Sequence, residues 1–217
     1  MPDGSLSLPA RLCLLAWDPA RPAGTGTAHV SGPVRAGALV ELARHGLLVD
    51  EEGIATPVDL DSRTGDAVLD GLLELVRESC PHPWRTWVTL RSRVTLDAVR
   101  EQLVAVGYLR AEKKRVLGVF PSVEYALERV AAVQALREET RRIFRDPLPV
   151  AGVCERDAAV ATLAASAELL PGEDVRAHGQ RVRELAERVV SSAPGLGEIV
   201  GEIRTALAAT ATATALP

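Results

Sequence analysis

The segment DAAVATLAASAELL, residues 157–170, carries Asp157 and Glu168 as its only charges. Wound as a helix it is apolar nearly all round, and such a helix is stable only where other elements cover every side of it. At about 1.5 Å per residue it runs roughly 21 Å, too short to cross a bilayer. The rest of the chain must therefore supply a jacket. The expectation is an all-α (mainly α) fold in which amphipathic helices surround a central hydrophobic one.

The jacket can be read along the chain. Pro9 opens a short helix over 8–17 with Leu12, Leu14, Leu15 and Trp17, since proline is tolerated in a first helical turn. Residues 34–45 form a helix ended by Gly46 as a left-handed cap. The run 47–60 reads as a small hairpin around Asp50-Glu51-Glu52-Gly53. Thr64-Gly65-Asp66 introduces a helix with Val68, Leu69, Leu72, Leu73, Leu75 and Val76 inward, closed by Pro81 and Pro83. Trp84 and Trp87 anchor an edge of the core, and Leu96, Val99, Leu103 and Val106 make the next helical stripe, stopped at Gly107. Residues 122–145 read as one long helix on Val123, Leu127, Val130, Val133, Leu136 and Ile143. Helices over 173–190 and 195–209 complete the set, with the TATATALP tail expected to fray. The sum is about eight helices and one or two small β-hairpins in a single domain, its core at about 8–209.

Composition narrows function. A hydrophobic share of 47% and a charged share of 25% are those of an ordinary globular protein. A net charge of −4 argues against general nucleic-acid binding, which needs a basic field over much of a domain, so any anion binding is local. Cys13, Cys80 and Cys154 are widely spaced, without a CxxC pair. Neither a disulfide framework nor a zinc site is indicated, and a reduced, cytoplasmic compartment is expected. The opening MPDGSLSLPARL is not a secretory signal, and no run reaches the roughly 18 apolar residues of a span. A membrane, if met, is met from one side. His29, His45, His82 and His178 are scattered, and no GxSxG, HExxH or P-loop occurs. Asp59, Asp61 and Asp66 fit turn and helix-start roles, as Asp50, Glu51 and Glu52 fit a solvated turn. No catalytic residue, metal or cofactor is expected, and the chain is read as non-enzymatic.

Three places gather cations. In RAEKKRVLGVFP, residues 110–121, the chain's only lysines, Lys113 and Lys114, precede Arg115, and Val116, Leu117, Val119 and Phe120 follow. A hairpin here presents cations and apolar surface together, the two weak signals that jointly hold a protein on an anionic membrane; the alternative is a core strand after a solvated turn. Arg35 falls in the first turn of the 34–45 helix, where a cation opposes the dipole. Either an anion completes the site or the side chain faces solvent. Arg91 and Arg93 precede Thr95. If Thr95 is an N-cap, both lie beside free amides and make a phosphate cradle; if the helix begins earlier, Arg93, Asp97 and Arg100 form surface ion pairs.

The segments LCLLAWD (12–18), SGPVRAGALVELARHG (31–46), RTGDAVLDGLLELVRE (63–78), Trp87, VREQLVAVGYL (99–109) and KKRVLGVFP (113–121) together resemble, in order and spacing, the Golgi phosphoprotein 3 family, including its actinobacterial members. The resemblance implies a helical fold with a protruding hairpin. It also implies a peripheral membrane protein binding phosphatidylinositol 4-phosphate or a similar anionic phospholipid headgroup; eukaryotic members also grip the cytoplasmic tails of glycosyltransferases. By this likeness Arg35 falls on the family's first-helix pocket arginine and Arg93 on one of a pair a helical turn apart. Leu96 holds the partner position, so that charge is either missing or moved to Arg91 or Arg100, and no tryptophan stands in residues 24–29. Residues 113–120 correspond to the membrane hairpin. The expected function is lipid-headgroup binding at Arg35, Arg91 and Arg93 from the cytoplasmic side. The alternative is a soluble adaptor whose hairpin mediates homo-oligomerisation or docks a protein partner's tail. Nucleic acid is not expected as a partner.

Overall fold

The computed structural model describes residues 6–17, 30–116, 120–145, 149–170 and 177–214. The elements are α1 (Leu8–Leu15), α2 (Ser31–Arg44), β1 (Leu48–Glu51), β2 (Ile54–Pro57), α3 (Ala67–Glu78), α4 (Trp84–Thr89), α5 (Ser92–Ala105), β3 (Leu109–Val116), β4 (Phe120–Leu127), α6 (Val130–Arg145), a 3₁₀ turn (Val150–Gly152), α7 (Glu155–Ser166), α8 (Gly179–Val190) and α9 (Leu196–Thr214). The protein is mainly helical, with two antiparallel strand pairs, β1–β2 and β3–β4, among the described residues.

The apolar segment takes the central place its composition demands. Every residue of α7 from Ala158 on is buried, and the helix touches α1, α2, α6, α8 and α9. It shares the centre with α2, whose residues 33–43 are all buried and which meets α1, α3, α4, α5, α7 and α9. The sequence hides this because Arg35 and Glu41 dilute the apolar run. Glu41 is accounted for by structure: its Oε2 accepts the Leu8 N–H at 2.7 Å, satisfying an orphan amide of α1. Burial pushes the Glu41 carboxyl upward, opposed by that amide and by Arg156. The two helices approach closely at Gly37, where an added Cβ would lie 2.6 Å from a Leu12 methyl and 3.1 Å from the Pro9 nitrogen.

Three expectations are corrected. Residues 122–127 are not the start of a long helix but belong to β4, paired with β3 from Leu109↔Leu127 to Val116↔Phe120. Val123, Tyr125 and Leu127 alternate at period two, and Leu127 is buried while Val123 is 48% exposed, as one strand face lifted off the body. Residues 84–89, read only as a tryptophan-bearing edge, are helix α4, with Trp84 and Trp87 fully buried. The Thr-Ala tract stays helical through Thr214. No helix among the described residues is long and apolar enough to cross a membrane.

Candidate functional site

The helix starts differ in how their free amides are treated. At α3, the Asp66 side chain accepts from the Val68 and Leu69 amides at 2.8 and 3.3 Å, and Asp70 adds negative charge in the first turn. This is ordinary capping, with an acid against the positive end of the dipole. At α2 and α5, Val30 and Arg91 stand at the cap position, no side chain caps either helix, and neither first turn holds an acid, as is also true of α4 and α8. The α2 and α5 starts lie together, because the Nη2 of Arg35 donates to the Arg91 carbonyl at 2.7 Å.

Arg35 is the unusual group. α2 begins at Ser31, three residues before its predicted start, so Arg35 sits one turn inside and is 1% exposed. It is not solvent-facing. Its Nε and Nη1 are buried without a hydrogen-bond partner among the described residues. Burial, with no charged neighbour to offset it, draws the guanidinium down to about 10, so it stays protonated at neutral pH. A buried charge lacking an ion-pair partner is costly to the fold.

Arg91 and Arg93 are exposed at the start of α5. Arg91 adopts a left-handed backbone with φ 51°, uncommon for a side-chain-bearing residue, and that conformation delivers its carbonyl to Arg35. α5 begins at Ser92, so the earlier of the two predicted starts holds: Arg93 is in the first turn rather than before Thr95, and Thr95 is buried. Arg100 forms its predicted pair with Asp97 at 3.7 Å, but it is a buried residue. It also stacks on Tyr125 at 5.2 Å and faces the buried Cys13 thiol, which burial pushes up to about 12 against the pull of Arg100. Arg100 therefore points away from the helix starts, and Leu96 is core.

Beside the two starts lies a cavity of about 180 Å³, open to Ser31 and Gly32 of α2, to Thr89 and Ser92 at the α4–α5 junction, and to Leu207 and Thr210 of α9. These linings were missed in the sequence. Ser31 and Ser92 occupy first helical positions rather than caps, and the α9 residues sit in a tract that reads as a tail.

The hairpin β3–β4 meets the body at its base, where Leu109 and Leu127 are buried. Lys113 is exposed, on the rung opposite Val123. Lys114, Arg115 and Val116 continue β3 opposite Ser122, Pro121 and Phe120. Leu117 and Val119 lie outside the described residues. Among the described residues no group of three His, Cys, Asp or Glu is placed to hold a metal ion.

A family model described as Golgi phosphoprotein 3 (GPP34) matches residues 8–213, nearly the whole chain. No curated protein matches it.

Proposed function

The chain belongs to the Golgi phosphoprotein 3 family, and on that premise we propose that it is a peripheral membrane protein holding an anionic phospholipid headgroup of the phosphatidylinositol 4-phosphate type. In this reading Arg35, Arg91 and Arg93 meet the phosphate. The segment Lys113, Lys114, Arg115, Val116, Leu117, Val119 and Phe120 supplies a second contact. The role is reversible binding, without bond-making chemistry. The observation that carries it is Arg35, a buried guanidinium with two unpartnered nitrogens among the described residues, beside two helix starts that lack both cap and acid. An anion there satisfies the amides, the dipoles and the buried charge at once.

Two further features support a membrane-facing surface. Val94, in the first turn of α5 beside Arg93, is 63% exposed and suits the boundary between headgroups and acyl chains. Tyr125, two rungs above the base pair Leu109↔Leu127, rests on Arg100, so the lower part of the hairpin packs on the helix that carries Arg93.

Flotation with phosphatidylcholine vesicles, with and without phosphatidylinositol 4-phosphate, tests the reading. Each basic residue near an anionic surface contributes about 1 kcal/mol, so neutralising Arg91 and Arg93 together should weaken binding roughly thirtyfold. Neutralising Lys113 and Lys114 should have a comparable effect on all anionic vesicles. Equal flotation of wild type and both double variants would remove the site.

The soluble-adaptor reading keeps one observation in its favour: β3–β4 is a two-stranded sheet with exposed Val123 on it, and such edges can pair with another chain. Light scattering separates the two. A stable oligomer that dissociates when Val123 is made charged favours the adaptor.

A further inference from the structure

The loop between β2 and α3 turns an apolar side chain to solvent and pins the backbone that carries it. Leu60, at 75% exposure, is the most exposed large apolar side chain among the described residues. On one side the Asp59 carboxylate accepts the Asp61 and Ser62 amides at 2.9 and 2.6 Å, and the Ser62 hydroxyl as well. On the other, Arg77 from the last turn of α3 donates its Nε to the Asp59 carbonyl and its Nη2 to the Ser62 carbonyl, both at 3.0 Å. A leucine mounted on backbone fixed in this way gives up less freedom when it is covered, which suits it to be a binding anchor.

Leu60 shares a groove with Gly71 of α3. Gly71 lies inside the helix, where glycine is destabilising relative to alanine. Nothing within the chain calls for it: its φ is not positive, and an added Cβ would meet no atom within 4 Å. The same holds for Gly197 and Gly201 of α9; what sets Gly71 apart is the fixed leucine beside it.

The groove carries both signs of charge. Asp70 is already engaged, accepting from Thr64 and Gly65. Glu74 and Glu78 are exposed, and their carboxylates form no ion pair among the described residues. Arg63 is exposed as well and interacts with Asp70 electrostatically without forming an ion pair.

A surface with a fixed knob, an open notch and both signs of charge is complementary to itself. A basic segment laid in the groove would satisfy the acids and meet Arg63. A second copy turned about a two-fold axis satisfies both signs, because in such an interface residue i meets j and j meets i. We propose that the groove between the 58–63 loop and α3 is a homodimer interface, in which Leu60 of each copy enters the notch over Gly71 of the other and Arg63 of each faces Glu74 and Glu78 of the other. This contact is separate from the β3–β4 hairpin and does not depend on the headgroup reading.

Sedimentation equilibrium of the full chain, from about 1 to 100 μM, reads the association, and circular dichroism checks that each variant folds. Leu60→Asp is expected to weaken the dimer roughly a hundredfold, since symmetry removes the knob twice. Gly71→Gln fills the notch. It should abolish the dimer while keeping or raising the melting temperature, because glutamine is the better helix former; a glycine of no importance to association would give the higher melt with the dimer unchanged. Arg63→Glu should be monomeric, as should Glu74→Lys combined with Glu78→Lys. An equimolar mixture of these two proteins should form a heterodimer, the facing charges being opposite again on both sides.

Wild type that stays monomeric throughout overturns the proposal, and a mixture that stays monomeric overturns the two-fold geometry. A dimer that survives Leu60→Asp and Gly71→Gln overturns it too, and its loss on Val123→Glu would place the contact at the hairpin. A monomer that binds an oligoarginine peptide, and releases it when Glu74 and Glu78 are changed, would show that the groove takes a basic segment instead of a second copy.

Discussion

Arg35 is a single side chain whose setting works against the fold. Its guanidinium has given up water and, among the described residues, donates one hydrogen bond, to the Arg91 carbonyl; it remains charged because burial lowers it only to about 10. Replacing a buried charge by an apolar residue of similar volume is often neutral or stabilising by about 1–4 kcal/mol. Arg35→Met should therefore keep or raise the melting temperature while abolishing the response to anionic vesicles. A melt lowered by several degrees would mean that the guanidinium serves the fold, by holding Arg91 in its left-handed turn. The residue was visible in the sequence as a cation out of place against a helix dipole. Its burial was not, because the helix was expected to start at Val34, whereas α2 begins at Ser31 and carries Pro33 within its first turn.

At the scale of elements, the sequence was legible wherever one face of a helix was apolar. α3 and its Asp66 cap, the α5 stripe to Leu103, and the stop at Gly107 with φ 74° all stand where periodicity puts them. It was illegible where two periods fit the same residues. Val123 and Leu127 are four apart and also lie on alternate positions, and only pairing with β3 decides between helix and strand. It was illegible again where burial is complete, since a helix such as α2 has no polar face to mark its orientation. The packing of α2 on α1 gives a direct check. Gly37→Ala gains about 1 kcal/mol of helix propensity, but its methyl meets the backbone of Leu8 and Pro9 at 3.1–3.2 Å, and overpacking of this kind costs about 1–3 kcal/mol. A net loss of about 0–2 kcal/mol, centred near 1, is expected in urea unfolding. An unchanged midpoint would show that α1 slides away without penalty.

For the molecule as a whole, the net charge of −4 and the local cations make opposing demands at a membrane. Long-range repulsion from an anionic surface is screened within about 10 Å at 0.1 M salt, while attraction at contact persists until the Debye length falls to about 3 Å near 1 M. Flotation should therefore hold at physiological salt and collapse toward 1 M; binding that strengthens steadily with salt would instead mark a contact dominated by apolar insertion. The scarcity of lysine has a consequence of another kind. Side-chain amines occur only at Lys113 and Lys114, on rungs of the projecting hairpin opposite Val123 and Ser122. Acyl-transfer chemistry directed at lysine can thus modify this chain's side chains at one place alone, and there each modification erases a positive charge from the β3–β4 hairpin.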